Sequence, residues 1–200
     1  MPSRQTTVKQ LLDRFGATYA HEAGITLRDK PAPLYQLLIL ATLLSTRIRA
    51  DIAVAAAREL YSAGLRTPRR MLDATWQERV DALGRGGYVR YDESTATRLG
   101  EGAQLLLDTW HGDLRRMRSP HREIQKFPGI AETGADIFCR EVQAVWPRLR
   151  PFFDQRALAA AEHHGLPADP RRLAELVKPD QLANLAAALV RSTLSPSRQS

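Results

Sequence analysis

The stretch "LYQLLILATLLS", Leu34 to Ser45, sets the first limit on the fold. Wound at 3.6 residues per turn it is apolar on every side, so as a helix it has no face to give to water. It falls well short of the roughly 20 apolar residues that cross a bilayer. Such a helix must be wrapped by other elements, and the rest of the chain supplies helices. Nearly every segment carries apolar residues at helical spacing, and none sustains the alternation of a strand. The expected fold class is all-α, with Leu34 to Ser45 as the central buried helix.

Caps and breakers divide the chain further. Thr6 to Phe15 reads as a short amphipathic helix. Asp51 is placed to cap a helix that runs to Ala63 and stops at Gly64. Thr67 caps another, with Pro68 in its first turn. Thr75 and Glu78 have the form of a capping box on a helix ending at Gly84. "RGGYVRYDES" is a glycine-led turn before a long helix to about Trp110. Arg122 to Phe127 is a short helix, and Glu132 to Trp146 a longer one closed by Pro147. "RLRPFF" is extended, Asp154 to His164 is helical, and two helices follow Gly165. The pattern predicts two helical lobes: residues 1–33 with 147–195, and a central lobe of 34–146. Residues 196–200 read as a disordered tail.

Composition bounds the partners. The chain has 200 residues, 44% of them hydrophobic, enough for a packed core. Its 29 basic against 22 acidic residues give a net charge of +7, which favours a polyanion such as nucleic acid. The arginine excess, with abundant alanine and leucine, equally fits a bias in genome base composition. One cysteine, Cys139, leaves no internal disulfide and no all-cysteine zinc or iron–sulfur site. Adjacent His163 and His164 lack further ligands at metal-binding spacing. They suit a helix C-terminus, where the dipole favours imidazolium. The opening "MPSRQTTVKQLLDRF" has no apolar signal core, so a cytoplasmic protein without membrane contact is expected.

"QKFPGIAETGADIF", Gln125 to Phe138, reads as helix, tight turn, helix. Pro128 ends the first helix and Gly129 permits a positive φ. Ile130 can plug the space between the helices. The first amides of the second helix have no intrahelical acceptor, and with the dipole they make a place for an anion. A plain corner between two helices accounts for the turn equally well.

This stretch resembles the helix-hairpin-helix signature of the DNA glycosylase superfamily that includes endonuclease III and the adenine mismatch glycosylase. Their pattern is Leu-Pro-Gly-Val-Gly before a helix. Asp154, in "PFFDQRALAA", lies twenty residues past Gly134, where the family keeps an invariant aspartate at a helix start. "LYQLLILATLLSTRIRAD" is similar to the family's "FELLIAVLLSAQATD", and "GRGGYVRYDESTA" to its "GLYNSKA" loop. The final helices have the family's length and pattern. The resemblance runs over about residues 30 to 195.

The resemblance implies a monomeric protein that lays duplex DNA across a cleft between the lobes and cleaves a base from its sugar, with no redox cofactor. Asp154 would be the catalytic carboxylate, and its position also suits a simple N-cap. Thr133 stands where strand-cleaving members carry a lysine, and a hydroxyl cannot form their imine, so a monofunctional enzyme is implied. Pro128, Gly129, Ile130, Ala131 and Gly134 would hold a phosphate. Ala131 replaces the family's second glycine, and a positive φ there would cost about 1 kcal/mol. Glu132 sets an acid beside the phosphate. Arg47 would fill the gap left by a flipped base, Arg49 and Arg90 would contact DNA, and Tyr88 would wedge into the duplex. Phe152 and Phe153 are candidates for the base pocket or for the core. The cysteines of the family's [4Fe–4S] centre are missing. A non-catalytic DNA-binding module that has lost turnover is the alternative.

Overall fold

The computed structural model describes residues 3–194, and the segment 196–200, read above as a tail, lies outside them. All regular structure in the described residues is helical. The α-helices are α1 Arg4–Phe15, α2 Tyr19–Glu22, α3 Pro31–Leu44, α4 Ala50–Ser62, α5 Pro68–Asp73, α6 Trp76–Arg85, α7 Asp92–Trp110, α8 Pro120–Ile124, α9 Glu132–Val142, α10 Gln155–His163, α11 Pro170–Ala174 and α12 Leu182–Leu194. Three short 3-10 turns, at Leu114–Arg116, Pro147–Leu149 and Pro179–Gln181, complete the order. The fold class is all-α, as the periodicity predicts.

Local capping explains most boundaries. Thr67 accepts from the Arg70 amide, and Thr75 and Glu78 form a reciprocal capping box. Asp51 is not a cap. Arg49 is the N-cap residue of α4, without a side-chain bond, and Asp51 in the first turn pairs with the Arg49 guanidinium instead. The α9 helix ends at Val142, short of the expected Trp146. Just past its end, Arg150 donates from Nε to the Gln143 oxygen and from Nη2 to that of Ala144, each at 2.6 Å.

The chain divides into two compact units, 3–19 with 139–194 and Ala20–Phe138. These divide at 19/20 and 138/139, where the sequence reading places the lobe edges at 33/34 and 146/147. In the second unit α3 is the centre. Leu34, Leu37, Leu40 and Leu43 are fully buried, and each stabilises the unit by roughly 1.5–3 kcal/mol. The covering helices bring small residues to the contact, Ala53, Ala56 and Ala57 on α4, Ala82 on α6, and Ala96 and Ala103 on α7. Small side chains let these helices approach closely.

The first unit is built on α12, packed against α1 and α10. Val8, Leu11, Ala157, Ala161, Leu185 and Leu189 lie in its core. Polar ties fix the chain leaving α1: Asn184 donates to the Gly16 carbonyl at 2.8 Å, and Arg191 donates to that of Ala17. His164, at the end of α10, lies 2.9 Å from the Ser192 hydroxyl of α12. Burial, and then the neighbouring His163, hold the His164 imidazole below the usual histidine range. Folding thus favours the neutral ring, against the imidazolium expected from the helix dipole.

The sign of the pH effect follows. As pH falls through the ordinary histidine range, the unfolded chain takes up a proton that folded His164 resists, so stability falls and levels off once the folded ring also titrates. Thermal unfolding across that range should show this decline, and His164→Asn should flatten it.

Candidate functional site

The Phe127–Gly134 turn joins α8 to α9, and Gly129 makes the bend with φ of +83°. Ala131 is spared: His111 is the one non-glycine residue with positive φ among those described, so the strain anticipated at Ala131 is not incurred. The Ile130 amide donates to the Phe127 carbonyl at 3.1 Å, and its side chain is 5% exposed. Ile130 is thus the plug of the corner, with neither side chain nor amide left for a ligand. Gly134 is also interior. A Cβ there would lie 2.2 Å from Ser45 Oγ and 2.8 Å from Ile130 Cγ2, so glycine is what lets α9 begin against the end of α3. Exposed at the corner are Gly129, Ala131, Glu132 and Thr133, with Pro128 half-buried. His121 Nε2 and Asp136 Oδ1, 2.7 Å apart, tie α8 to α9, and Phe127 stacks on Trp110 at 5.6 Å.

Tyr88 corrects the sequence reading. It is fully buried and cannot wedge into a duplex. Its hydroxyl lies 2.7 Å from Thr46 Oγ1 and 3.3 Å from Thr95 Oγ1, and donates to the Leu43 carbonyl at 3.5 Å. It is a bracket between the end of α3, the glycine loop and α7. The exposed residue of that loop is its neighbour Val89, at 65%. Nothing in one sequence tells which of two adjacent large residues turns inward; the buried hydroxyl partners decide it.

A circuit of contacts results within the second unit. Gly134 meets Ser45, Thr46 meets Tyr88, and Tyr88 meets Thr95 on α7. One turn further along α7, Arg98 returns to the corner at Gly129. Arg47, beside Thr46, is exposed, as are Val89 and Arg90 beside Tyr88. Arg49 is exposed but makes a two-point pair with Asp51, at 2.7 and 3.0 Å. An exposed pair of this kind contributes at most about 1 kcal/mol, so a stronger anion can displace it. A separate groove of about 670 Å³, lined by charges of both signs from Arg70, Asp73, Glu78, Asp81 and Arg85, contains none of these residues.

Asp154 belongs to the first unit. It is the N-cap of α10, where its Oδ1 accepts from the Ala157 amide at 3.4 Å. Its Oδ2 accepts from Arg140 Nη1 at 2.7 Å, and the two side chains are 3% and 7% exposed. Arg140, on α9, was not picked out by the sequence; an arginine fourteen residues away carries no local signal. Buried Gln143 exchanges two bonds with the backbone of Phe152, at 2.8 and 3.0 Å, and so fixes the approach to Asp154. Phe153 packs in the core of this unit at 6% exposure, and Phe152 is half-buried.

No protein-family model matches the chain, and no curated protein sequence matches it. Solved structures do. A trapped covalent intermediate of endonuclease III with DNA, an estranged-adenine complex, is 14% identical with a TM-score of 0.56, over 98% of this chain and 90% of that one. A non-covalent endonuclease III–DNA complex is 15% identical with a TM-score of 0.57, over 100% and 90%. The chain has an endonuclease III-like fold. At this identity the likeness is one of architecture. A [4Fe–4S] centre takes four thiolates. This sequence supplies one, Cys139, fully buried in α9, so the residues present do not fit such a cluster.

The close approach at Gly134 makes a direct prediction. Gly134→Ala should lower stability in denaturant unfolding by about 1–3 kcal/mol through overpacking. Adding Ser45→Ala removes the nearest clashing atom and should recover part of that loss.

Proposed function

We propose that this chain is a DNA-repair protein that binds duplex DNA at a lesion or mismatch and hydrolyses the N-glycosidic bond there as a monofunctional glycosylase. The observation that most supports the reading is the circuit in the second unit. It holds the exposed corner at Gly129, the exposed cations Arg47 and Arg90, and the bare apolar side chain of Val89 on one frame, within an endonuclease III-like fold. The amides of Ala131, Glu132 and Thr133 open α9 and receive a phosphate. Arg47 occupies the space of an extruded base, and Val89 takes the wedging role read earlier at Tyr88.

Extruding a base costs a few kcal/mol of stacking. The bond then breaks as positive charge grows on the sugar, and a carboxylate stabilises that charge while a water completes the hydrolysis. Asp154 is the carboxylate. Thr133, exposed in the first turn of α9, offers no amine for strand cleavage. Phe152 is the half-buried aromatic that meets a base. The protein acts as a monomer in the cytoplasm.

One observation favours a second reading, a DNA-binding module without turnover. Both oxygens of Asp154 are engaged, and a guanidinium at 2.7 Å cancels the negative charge that a sugar cation needs. Catalysis requires Arg140 to give way; binding does not.

The test is a panel of duplexes carrying uracil, thymine mismatches, and oxidised or alkylated bases, incubated with the protein and developed with and without alkali. Cleavage that depends on alkali is expected for one substrate class. Binding to all and cleavage of none would leave the binding module. Asp154→Asn should abolish base release while DNA affinity stays. The variant strands Arg140, so it should also lose about 3–5 kcal/mol of stability. The paired change Arg140→Gln with Asp154→Asn should regain much of that stability and none of the base release.

A further inference from the structure

We infer that Arg98 is a phosphate ligand of the hairpin corner, a cation brought from α7 to the exposed face of Gly129. The inference rests on the DNA-binding reading and adds a residue outside the motifs that carry the resemblance.

A Cβ at position 129 would lie 2.8 Å from Arg98 Cδ and 3.3 Å from both Nε and Nη1. The arginine therefore lies against the face of residue 129 that only glycine leaves open, and its stem passes beside Pro128 and Phe127. Arg98 is half-buried. No ion pair or hydrogen bond among the described residues takes up its guanidinium. Its register on α7 is set from below: Thr95, three residues earlier on the same face, is held by the Tyr88 hydroxyl at 3.3 Å.

Charge completes the argument. Between Phe127 and Gly134 the one ionisable side chain is Glu132, an exposed acid that repels a phosphate. Lys126, just before the turn, has its ammonium 5.9 Å above the Trp110 ring. Arg98 is thus the cation laid on the corner itself. It offers a fork of donors suited to two phosphate oxygens, partly shielded from water and salt. The corner supplies shape and amides, and α7 supplies the charge that Glu132 offsets.

The experiment measures binding of an undamaged DNA duplex across a salt series, with wild type, Arg98→Met and Arg98→Lys. Methionine keeps the apolar stem and removes the charge. One lost phosphate contact should reduce the slope of log K against log[salt] by about 1 and weaken binding several-fold at low salt. Arg98→Lys should keep the wild-type slope, and all three proteins should melt together. If Arg98→Met lowers affinity or melting temperature with the slope unchanged, Arg98 is a packing residue and the inference falls. If wild type binds no duplex at any salt, the DNA-binding reading falls and takes the inference with it.

Discussion

The hydroxyl of Tyr88 is buried where the end of α3, the glycine loop and α7 come together, and the exposed residues of the second unit depend on it. Through Thr46 it fixes the strand of chain that carries Arg47, and through Thr95 it fixes the register of α7 that carries Arg98. Its own backbone carries Val89 and Arg90. A buried hydroxyl must find partners or lose about 1–3 kcal/mol, so the tie has little freedom to slip. The other half of the frame is a steric contact, the approach of Gly134 to the Ser45 hydroxyl. One interaction is directional and the other steric, and together they hold a mobile kind of chemistry, arginines and a turn, on a rigid base.

The first unit solves a different problem. Asp154 and Arg140 are both removed from water, and neither charge is tolerable there without the other. Arg150 and Gln143 add hydrogen bonds that clamp the segment before Asp154 to the end of α9. The carboxylate is thereby placed with precision and quenched by the same act. A likeness of fold to endonuclease III does not carry that pairing, which rests on an arginine outside any motif.

Legibility from sequence followed the range of the interactions. Thr75 with Glu78, Thr67 with Pro68 and Asp154 as a cap were all readable, since capping partners lie within one turn of each other. Asp51 misled because a salt bridge to Arg49 two residues away competes with capping. The end of α9 at Val142 is marked by no break in the periodicity, which runs on toward Pro147. Tyr88 was read as outward-facing for the same reason: loop residues show no period that says which faces in. Phe153 read equally well as pocket or core, and its place in the core comes from the packing of the first unit.

By itself the sequence determined the all-α class, the central α3, most caps, the corner at Gly129 and the candidacy of Asp154, because hydrophobic period, proline, glycine and N-caps act through neighbours in the chain. The tertiary structure decided what faces outward and what pairs with what. It buried Tyr88, Ile130 and Gly134, exposed Val89, laid Arg98 over Gly129 and set Arg140 on Asp154. Those outcomes turn on contacts between residues far apart in sequence, where packing space and the cost of an unpaired buried charge choose among partners that local patterns leave equivalent.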